Sequence, residues 1–217
     1  MKHSRRDFTR LAVPFLALPL LRAAGQALPA PRVQFNAEQR ADLDAVSAHL
    51  NSLRTLSAGF IQMSPNGGVT EGTFYLSRPG RLRFEYRPPS PTLIVGTGGN
   101  LYLRNSRLNT VERYSVDDTP LGLLLGDKID LKRNPAVLGI ERRPGELLLR
   151  ARSSTNRTQD NINIVFATEP GLEIRSWTVR DMQSGATSVV FRDVRTGLDL
   201  ADSLFAVPVK APSTRKS

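Results

Sequence analysis

The stretch Gly72-Thr73-Phe74-Tyr75-Leu76-Ser77-Arg78-Pro79-Gly80-Arg81-Leu82-Arg83-Phe84-Glu85-Tyr86 decides the fold. Its second half alternates apolar side chains with charged ones, which is typical of a strand that buries one face. Pro79-Gly80 separates this strand from an earlier one at 69–77, because that pair favours a turn. Phe74, Leu76 and Arg78 have the same parity in the earlier strand, so they point to one face of the sheet.

Short strand patterns separated by turns continue through most of the chain. They lie at 60–62, where Phe60 and Gln62 share a face, and then at 92–95, 101–104, 110–115, 137–142, 146–151, 161–167, 172–180 and 187–193. Many antiparallel strands joined by short turns predict a mainly β meander. Such a meander closes, or half closes, into a barrel or a strongly curved sheet.

An amphipathic helix is predicted before the strands, at residues 37–55. Asn36 is the expected N-cap, and Gln39 completes a capping box. Apolar residues follow at helical spacing and polar residues fall elsewhere: Leu43, Val46, Leu50 and Leu53 against Asp42, Asp44, Asn51 and Arg54. We expect the apolar stripe to pack on the sheet. A helix lying on a membrane surface is the alternative, but its polar face is not rich in Lys or Arg.

A second, very short helix is predicted before Gly126. Thr119 is the expected N-cap, Pro120 suits the first helical position and Gly126 suits the end. One or two turns are not stable alone, so the leucines of this helix must lie on an apolar surface. They are Leu121, Leu123, Leu124 and Leu125.

Residues 1–27 are predicted to be a twin-arginine signal peptide. Arg5-Arg6 lie in a basic segment, an apolar run extends from Leu11 to Leu21, and small residues follow up to Ala27. This order is typical of an export signal cleaved near Ala27, and the run is shorter than the ~20 residues of a spanning helix. A disordered basic tail beside a short anchor helix is the alternative. The expected location is the periplasm, with a mature domain at 28–210 and a flexible tail at 211–217.

Charge and cysteine content narrow the possible functions. The formal charge of +10 falls to +6 without residues 1–27, because five basic residues and one acidic residue lie there. The remaining charges are interspersed and no recognition motif appears, so nucleic acid is not an expected partner. The sequence has no cysteine, which excludes disulfides, thiolate metal sites and a lipoprotein anchor.

The sequence argues against an enzyme, and no cofactor is expected. His49 is the one histidine beyond the signal and has polar neighbours, so we expect it to be solvated. Asp117-Asp118 could form a paired carboxylate site, but two charges favoured by a helix dipole are the simpler explanation. A lipid-modifying hydrolase would need a catalytic triad, and no nucleophile elbow, metal cluster or phosphate loop appears.

Several motifs stand in a characteristic order and spacing, and they are Phe60-x-Gln62, Gly72 to Gly80, Leu82 to Tyr86, Pro88-Pro89, Leu93-Ile94-Val95, Asp118 to Leu121 and the closing Leu204-Phe205-x-Val207-Pro208. In these motifs the chain, chiefly its first half, resembles the LolA family of periplasmic lipoprotein carriers. The second half agrees mainly in its style of strands.

This resemblance implies an incomplete antiparallel β-barrel whose helices act as a lid over an apolar cavity. It implies a carrier that binds the acyl chains of lipidated proteins and takes them from the inner to the outer membrane. Cargo would come from an inner-membrane ABC-type releasing complex and pass to an outer-membrane receptor, and we expect a monomer. We assign the cavity to Phe60, Phe74, Leu76, Leu82, Phe84, Tyr86 and Ile94.

The resemblance also gives Arg78 the role of the latch that bonds to the lid and closes the empty cavity. Residue chemistry supports this role, because a guanidinium at an apolar mouth must find acceptors and residues 123–126 would offer unpaired helix-end carbonyls. An exposed arginine before a turn proline is the alternative. Two other functions stay open on the same scaffold. One is a carrier of another lipid, and the other is a sensor of mislocalised lipoproteins, although such sensors have an additional C-terminal domain.

Overall fold

The computed structural model describes residues 33–119, 121–152, 161–181 and 185–208. The predicted signal peptide at 1–27, Pro120 and the predicted tail at 211–217 lie outside the described residues.

The described residues form two α-helices and eleven strands. Helix α1 spans Ala37–Ser52 and α2 spans Gly122–Leu125, and short 3-10 turns lie at Val116–Asp118 and Asp202–Phe205. The strands are β1 (Thr55–Met63), β2 (Val69–Ser77), β3 (Arg81–Tyr86), β4 (Thr92–Thr97), β5 (Asn100–Asn105), β6 (Thr110–Ser115), β7 (Val137–Arg143), β8 (Glu146–Arg152), β9 (Asn161–Ala167), β10 (Glu173–Asp181) and β11 (Gly185–Thr196).

All eleven strands belong to one antiparallel sheet in the order β6-β5-β4-β3-β2-β1-β11-β10-β9-β8-β7. Two meanders, β1 to β6 and β7 to β11, are joined by the pairing of β1 with β11, in which Phe60 lies opposite Phe191. The sheet is curved and its end strands, β6 and β7, do not pair with each other. The predicted mainly β fold, an incomplete antiparallel barrel, is confirmed.

Helix α1 packs its apolar stripe on the inner face of the curved sheet, as predicted. Leu43, Val46 and Leu50 are buried in the main core, and Asn36 and Gln39 form the predicted capping box. Gln39 also fixes the helix to an end strand, because its Nε2 donates to the carbonyl of Ile140 in β7 at 3.4 Å. The helix therefore contacts β7, the end strand that pairs with β8 alone.

Two predictions about α1 were wrong. The helix ends at Ser52 rather than at residue 55, because Leu53 takes an extended backbone conformation and β1 begins at Thr55. Asp42 was placed on the polar face, but its side chain is only 4% exposed and forms an ion pair with Arg142 of β7. A buried carboxylate needs such a partner, and the helix sequence alone could not reveal it.

The predicted start of the second helix was also wrong. Helix α2 begins at Gly122 after Leu121, which provides no side-chain cap. Thr119 instead ends the preceding 3-10 turn, where its Oγ1 donates to the carbonyl of Val116 at 2.8 Å. Gly126 ends α2 as predicted.

Candidate functional site

An apolar chamber lies beneath α2, inside the barrel. Leucines of α1, β1, β2 and β3 form its walls, and α2 with the preceding Leu121 covers it. The lining residues are Leu50, Leu53, Leu56, Phe74, Leu76, Leu82, Leu121, Leu124, Leu125, Ile174 and Trp177. Its free space is about 20 Å³, about enough for one water molecule. Side chains therefore fill the chamber in this conformation.

Strand register brings the wall leucines together. Leu76 of β2 lies opposite Leu56 of β1 on one side and opposite Leu82 of β3 on the other. Leu82 in turn lies opposite Gly96 of β4, where an added Cβ would come within 2.8 Å of the Leu82 side chain. Glycine at position 96 therefore leaves room for the side chain of Leu82 in the chamber wall.

Arg78 lies at the rim of the chamber and is 7% exposed. Its Nη1 donates to the carbonyl of Leu50 in α1. Its Nη2 donates to the carbonyls of Gly126 and Asp127 at 2.5 and 3.3 Å, and to Asn51 Oδ1 at 3.5 Å. One side chain thus joins the turn between β2 and β3 to both α1 and the end of α2.

The charge of Arg78 is compensated by neutral oxygens, since no ion pair of this residue occurs in the described part of the chain. Burial lowers the pKa of its guanidinium, the nearby charge of Arg54 lowers it further, and Asp127 opposes both effects. Its Nε has no hydrogen-bond partner among the described residues. A buried polar group without a partner is costly, so this nitrogen offsets part of the stabilisation that the other guanidinium bonds provide.

Backbone hydrogen bonds also join the turn between β2 and β3 to α2 and to the segment between α1 and β1. Gly80 donates from its backbone N–H to the carbonyl of Leu125 at 3.0 Å, and Arg78 donates from its backbone N–H to the carbonyl of Arg54 at 2.8 Å. The last carbonyls of an α-helix have no partner within the helix. The β2–β3 turn supplies these partners for α2, a helix too short to persist without them.

Residues 127–131, which follow α2, are fixed to α1 by polar side chains. Asn51 donates from Nδ2 to the carbonyl of Ile129 at 2.8 Å and accepts from its N–H at 2.9 Å. Ser47 Oγ accepts from the N–H of Leu131 at 3.1 Å. The covering segment, here residues 121–131, is therefore anchored to α1 at its C-terminal end. Helix α2 within it is held mainly by Arg78, by Gly80 and by its own leucines.

Comparison with known proteins places the chain in a family. The sequence profile described as "Outer membrane lipoprotein carrier protein LolA" matches residues 51–208, which is most of the chain. The chain belongs to the LolA family. This confirms the resemblance seen in the sequence. The LolA match begins at Asn51, so most of α1, including Leu50 in the chamber wall, lies before it.

Two relatives and one solved structure are similar to this chain over most of its length. An outer-membrane lipoprotein carrier protein of Chromobacterium violaceum is 30% identical over 195 residues, covering 85% of this chain and 87% of the relative. One from Chromohalobacter salexigens is 26% identical over 180 residues, covering 79% and 84%. A solved LolA superfamily protein from Nitrosomonas europaea overlaps with a TM-score of 0.40 at 10% identity, covering 76% and 97%.

The structure brings some of the residues predicted from the LolA resemblance to the chamber and leaves others nearby. Phe74, Leu76 and Leu82 line it, as do Leu121, Leu124 and Leu125. Leu123 is buried but faces a separate groove beside Asn134 and Arg152. The other predicted cavity residues lie deeper in the barrel or beside it. These are Phe60 and Phe84, which are buried, and Tyr86 and Ile94, which are partly buried against the same core.

Sequence reasoning missed several lining residues. Leu50 and Leu53 were recognised only as the packing stripe of the helix, and Leu56 lies in a part of β1 that the pattern did not include. Ile174 and Trp177 of β10 come from the second half, where the LolA resemblance is weak. Residues three apart in a regular strand point to opposite faces, so the sequence does not indicate that Ile174 and Trp177 share one. They share a face because a register irregularity lies between Ile174 and Ser176.

The described residues contain one histidine, His49. His49 is half-buried rather than solvated, because its ring lies edge-on against Phe166 at 6.4 Å between centroids, and burial lowers its pKa. Ranges 33–119, 121–152, 161–181 and 185–208 contain no cluster of three potential metal ligands. In the same ranges, no helix has the length and apolar character needed to cross a bilayer. The LolA description is that of a carrier, not of an enzyme.

Proposed function

We propose that this protein is a periplasmic carrier that holds the acyl chains of lipoproteins in its apolar chamber and takes them from the inner to the outer membrane. The observation that carries the proposal is an apolar chamber covered by a four-residue helix, with Arg78 bonded to the carbonyl at the end of that helix. Family membership and relatives described as outer-membrane lipoprotein carriers support it. An inner-membrane ABC-type releasing complex would load the cargo, and an outer-membrane receptor would accept it.

Loading requires the cover to open, because about 20 Å³ of free space holds no acyl chain. Opening breaks the hydrogen bonds from Arg78 to Gly126 and Asp127, and a hydrogen bond to a charged donor contributes ~1.5–3 kcal/mol. Burial of an acyl chain returns ~0.8 kcal/mol per methylene. On the order of four to eight methylenes then offset the two bonds, so the closed cover opposes part of the gain from chain burial and the affinity reflects a balance between the two. A carrier that must also release its cargo needs such a balance.

Trp177 gives a direct test of acyl-chain binding, because it is the only tryptophan in the chain and lines the chamber. Brominated stearic acid is expected to quench its fluorescence in a saturable manner. Leu82→Asp should abolish this quenching by placing a charge in the wall of the chamber. Leu138→Asp is the matched control, because Leu138 is 36% exposed and does not line the chamber. Absence of quenching in the wild-type protein would refute the binding step.

The transfer step needs its own test. Purified protein added to spheroplasts that display newly made lipoproteins should release them in soluble form, and mass spectrometry should find triacylated protein bound to the carrier. Free lipid alone in the complex would contradict lipoprotein carriage.

A further inference from the structure

The interior of the barrel has two parts of different chemistry. Beneath α2 the walls are aliphatic, whereas deeper in the barrel six aromatic side chains form one continuous cluster, here called the aromatic floor. Its members are Phe60, Phe74, Phe84, Tyr86, Trp177 and Phe191. Phe74 and Trp177 are the two members that reach the chamber.

The rings of the aromatic floor contact one another across the barrel. Phe74 lies 5.8 Å from Trp177 and 5.2 Å from Phe191 between ring centroids, and Trp177 lies 4.8 Å from Phe191. Most of these pairs are edge-to-face, the arrangement that aromatic quadrupoles favour. Strands β2 and β10 lie on opposite sides of the central β1–β11 pair. The contact between Phe74 and Trp177 therefore spans the interior of the barrel.

The aromatic floor is held more firmly than the cover. Its six residues stand on five strands, β1, β2, β3, β10 and β11, each of which is paired on both sides. The cover consists of four helical residues and the turn before them, and its end carbonyls depend on partners from another turn. An incoming chain therefore displaces the leucines of the cover, whereas the floor stays in place.

The distance from rim to floor is comparable to the length of one acyl chain. Phe74 lies in β2 four residues before Arg78, which directly follows that strand, and this spacing corresponds to roughly 13 Å at ~3.3 Å per residue. One leaflet of a bilayer has a hydrocarbon thickness of about 15 Å. An extended acyl chain with its polar end at the rim thus reaches the floor before it is fully inserted.

We propose that Trp177, together with Phe74, sets the greatest acyl-chain length that the chamber accepts. This inference rests on the proposed function, because it presupposes that acyl chains occupy the chamber. Trp177 acts as a specificity-determining residue. Its indole blocks the path along which a longer chain would continue into the lower half of the barrel, towards Phe191 and Phe60.

The test compares saturated fatty acids of increasing length, from caprylic through capric and lauric to palmitic acid, by displacement of the dye ANS. In the wild-type protein the affinity should rise with chain length and then level off at the limit set by the floor. Trp177→Ala should move that limit to longer acids, with about fourfold tighter binding for each additional buried methylene. Ile174→Phe, which adds a ring above the floor, should move the limit to shorter acids.

Controls separate a specific effect from loosened packing. Ile162→Ala removes a fully buried side chain that does not line the chamber, so it should keep the wild-type limit. Trp177→Leu, which preserves apolar character, replaces Trp177→Ala if the latter does not fold. An unchanged limit in the Trp177 variants, or the same shift in Ile162→Ala, overturns the inference while leaving acyl carriage intact. Failure of the wild-type protein to bind any of the acids overturns the proposed function itself.

Discussion

Replacing Arg78 with leucine is expected to tighten the hold on an acyl chain and to slow its release. The wild-type guanidinium donates to two carbonyls of the covering segment, at Gly126 and Asp127. Each such bond contributes ~1.5–3 kcal/mol. The bond to Asp127 is the longer of the two at 3.3 Å, so we count the loss from the closed, empty state as at least one such bond, or about 1.5–3 kcal/mol.

The closed state competes with the open state that binds the chain. Destabilising the closed state removes that competition, so the apparent affinity rises by the same free energy for as long as the closed state predominates. A change of about 1.5–3 kcal/mol corresponds to a Kd about ten- to hundredfold lower. Arg78→Lys keeps the charge but loses the planar guanidinium with its two parallel donors. Its Kd should therefore lie between those of the wild-type protein and Arg78→Leu.

Quenching of Trp177 fluorescence by brominated stearic acid measures this affinity, and mixing loaded protein with acceptor vesicles measures release. Arg81→Leu is the matched control. Arg81 belongs to the same turn region but bonds to Asp202 and Ser77, outside the cover, so its loss should change neither quantity. Wild-type affinity and wild-type transfer in Arg78→Leu would refute the gating role.

Three further predictions concern the cover, the first helix and export. Asn51→Ala should lower the free energy of unfolding in urea by about 1–3 kcal/mol, because it leaves two backbone groups of the covering segment without partners; Ser52→Ala, at the exposed end of the helix, should change it far less. Because burial lowers the pKa of His49, the unfolded chain takes up a proton that the folded chain does not, so stability should fall as the pH drops below ~6.5. His49→Asn should reduce this dependence, and an unchanged pH profile would contradict it. Replacing Arg5 and Arg6 with lysines should leave the protein in the cytoplasm by cell fractionation, and normal export would exclude the twin-arginine route.

The sequence predicted those features that depend on residues close together in the chain. The capping box of Asn36 and Gln39 involves positions three apart, and the β2–β3 hairpin depends on alternation on either side of one turn. Local hydrogen bonds and side-chain parity determine such elements. Strand order was not predictable in the same way, since no local pattern indicates that β1 pairs with β11.

Only those residues of the candidate site that come from the first half of the chain were predictable. Phe74, Leu76 and Leu82 share a face that the alternation reveals, and the leucines of α2 stand out by composition. Asp42 was misplaced because its partner, Arg142, lies 100 positions away. Trp177 was missed because its role depends on rings supplied by β2 and β11. Arg78 was assigned from the family resemblance, since statistics of burial alone favour an exposed arginine.

The pairing of β1 with β11 also governs how the protein acquires its shape. The first strand lies beside the last, so the sheet remains divided into two meanders until almost the whole chain has left the ribosome. Contacts between such distant residues require a large loop to close first, and β topologies of this kind fold in roughly milliseconds to seconds. During that interval β1 exposes an unpaired edge and Phe60 is uncovered, which favours aggregation. The edge of β1 that faces β11 therefore stays unpaired from the synthesis of β1 until β11 joins it.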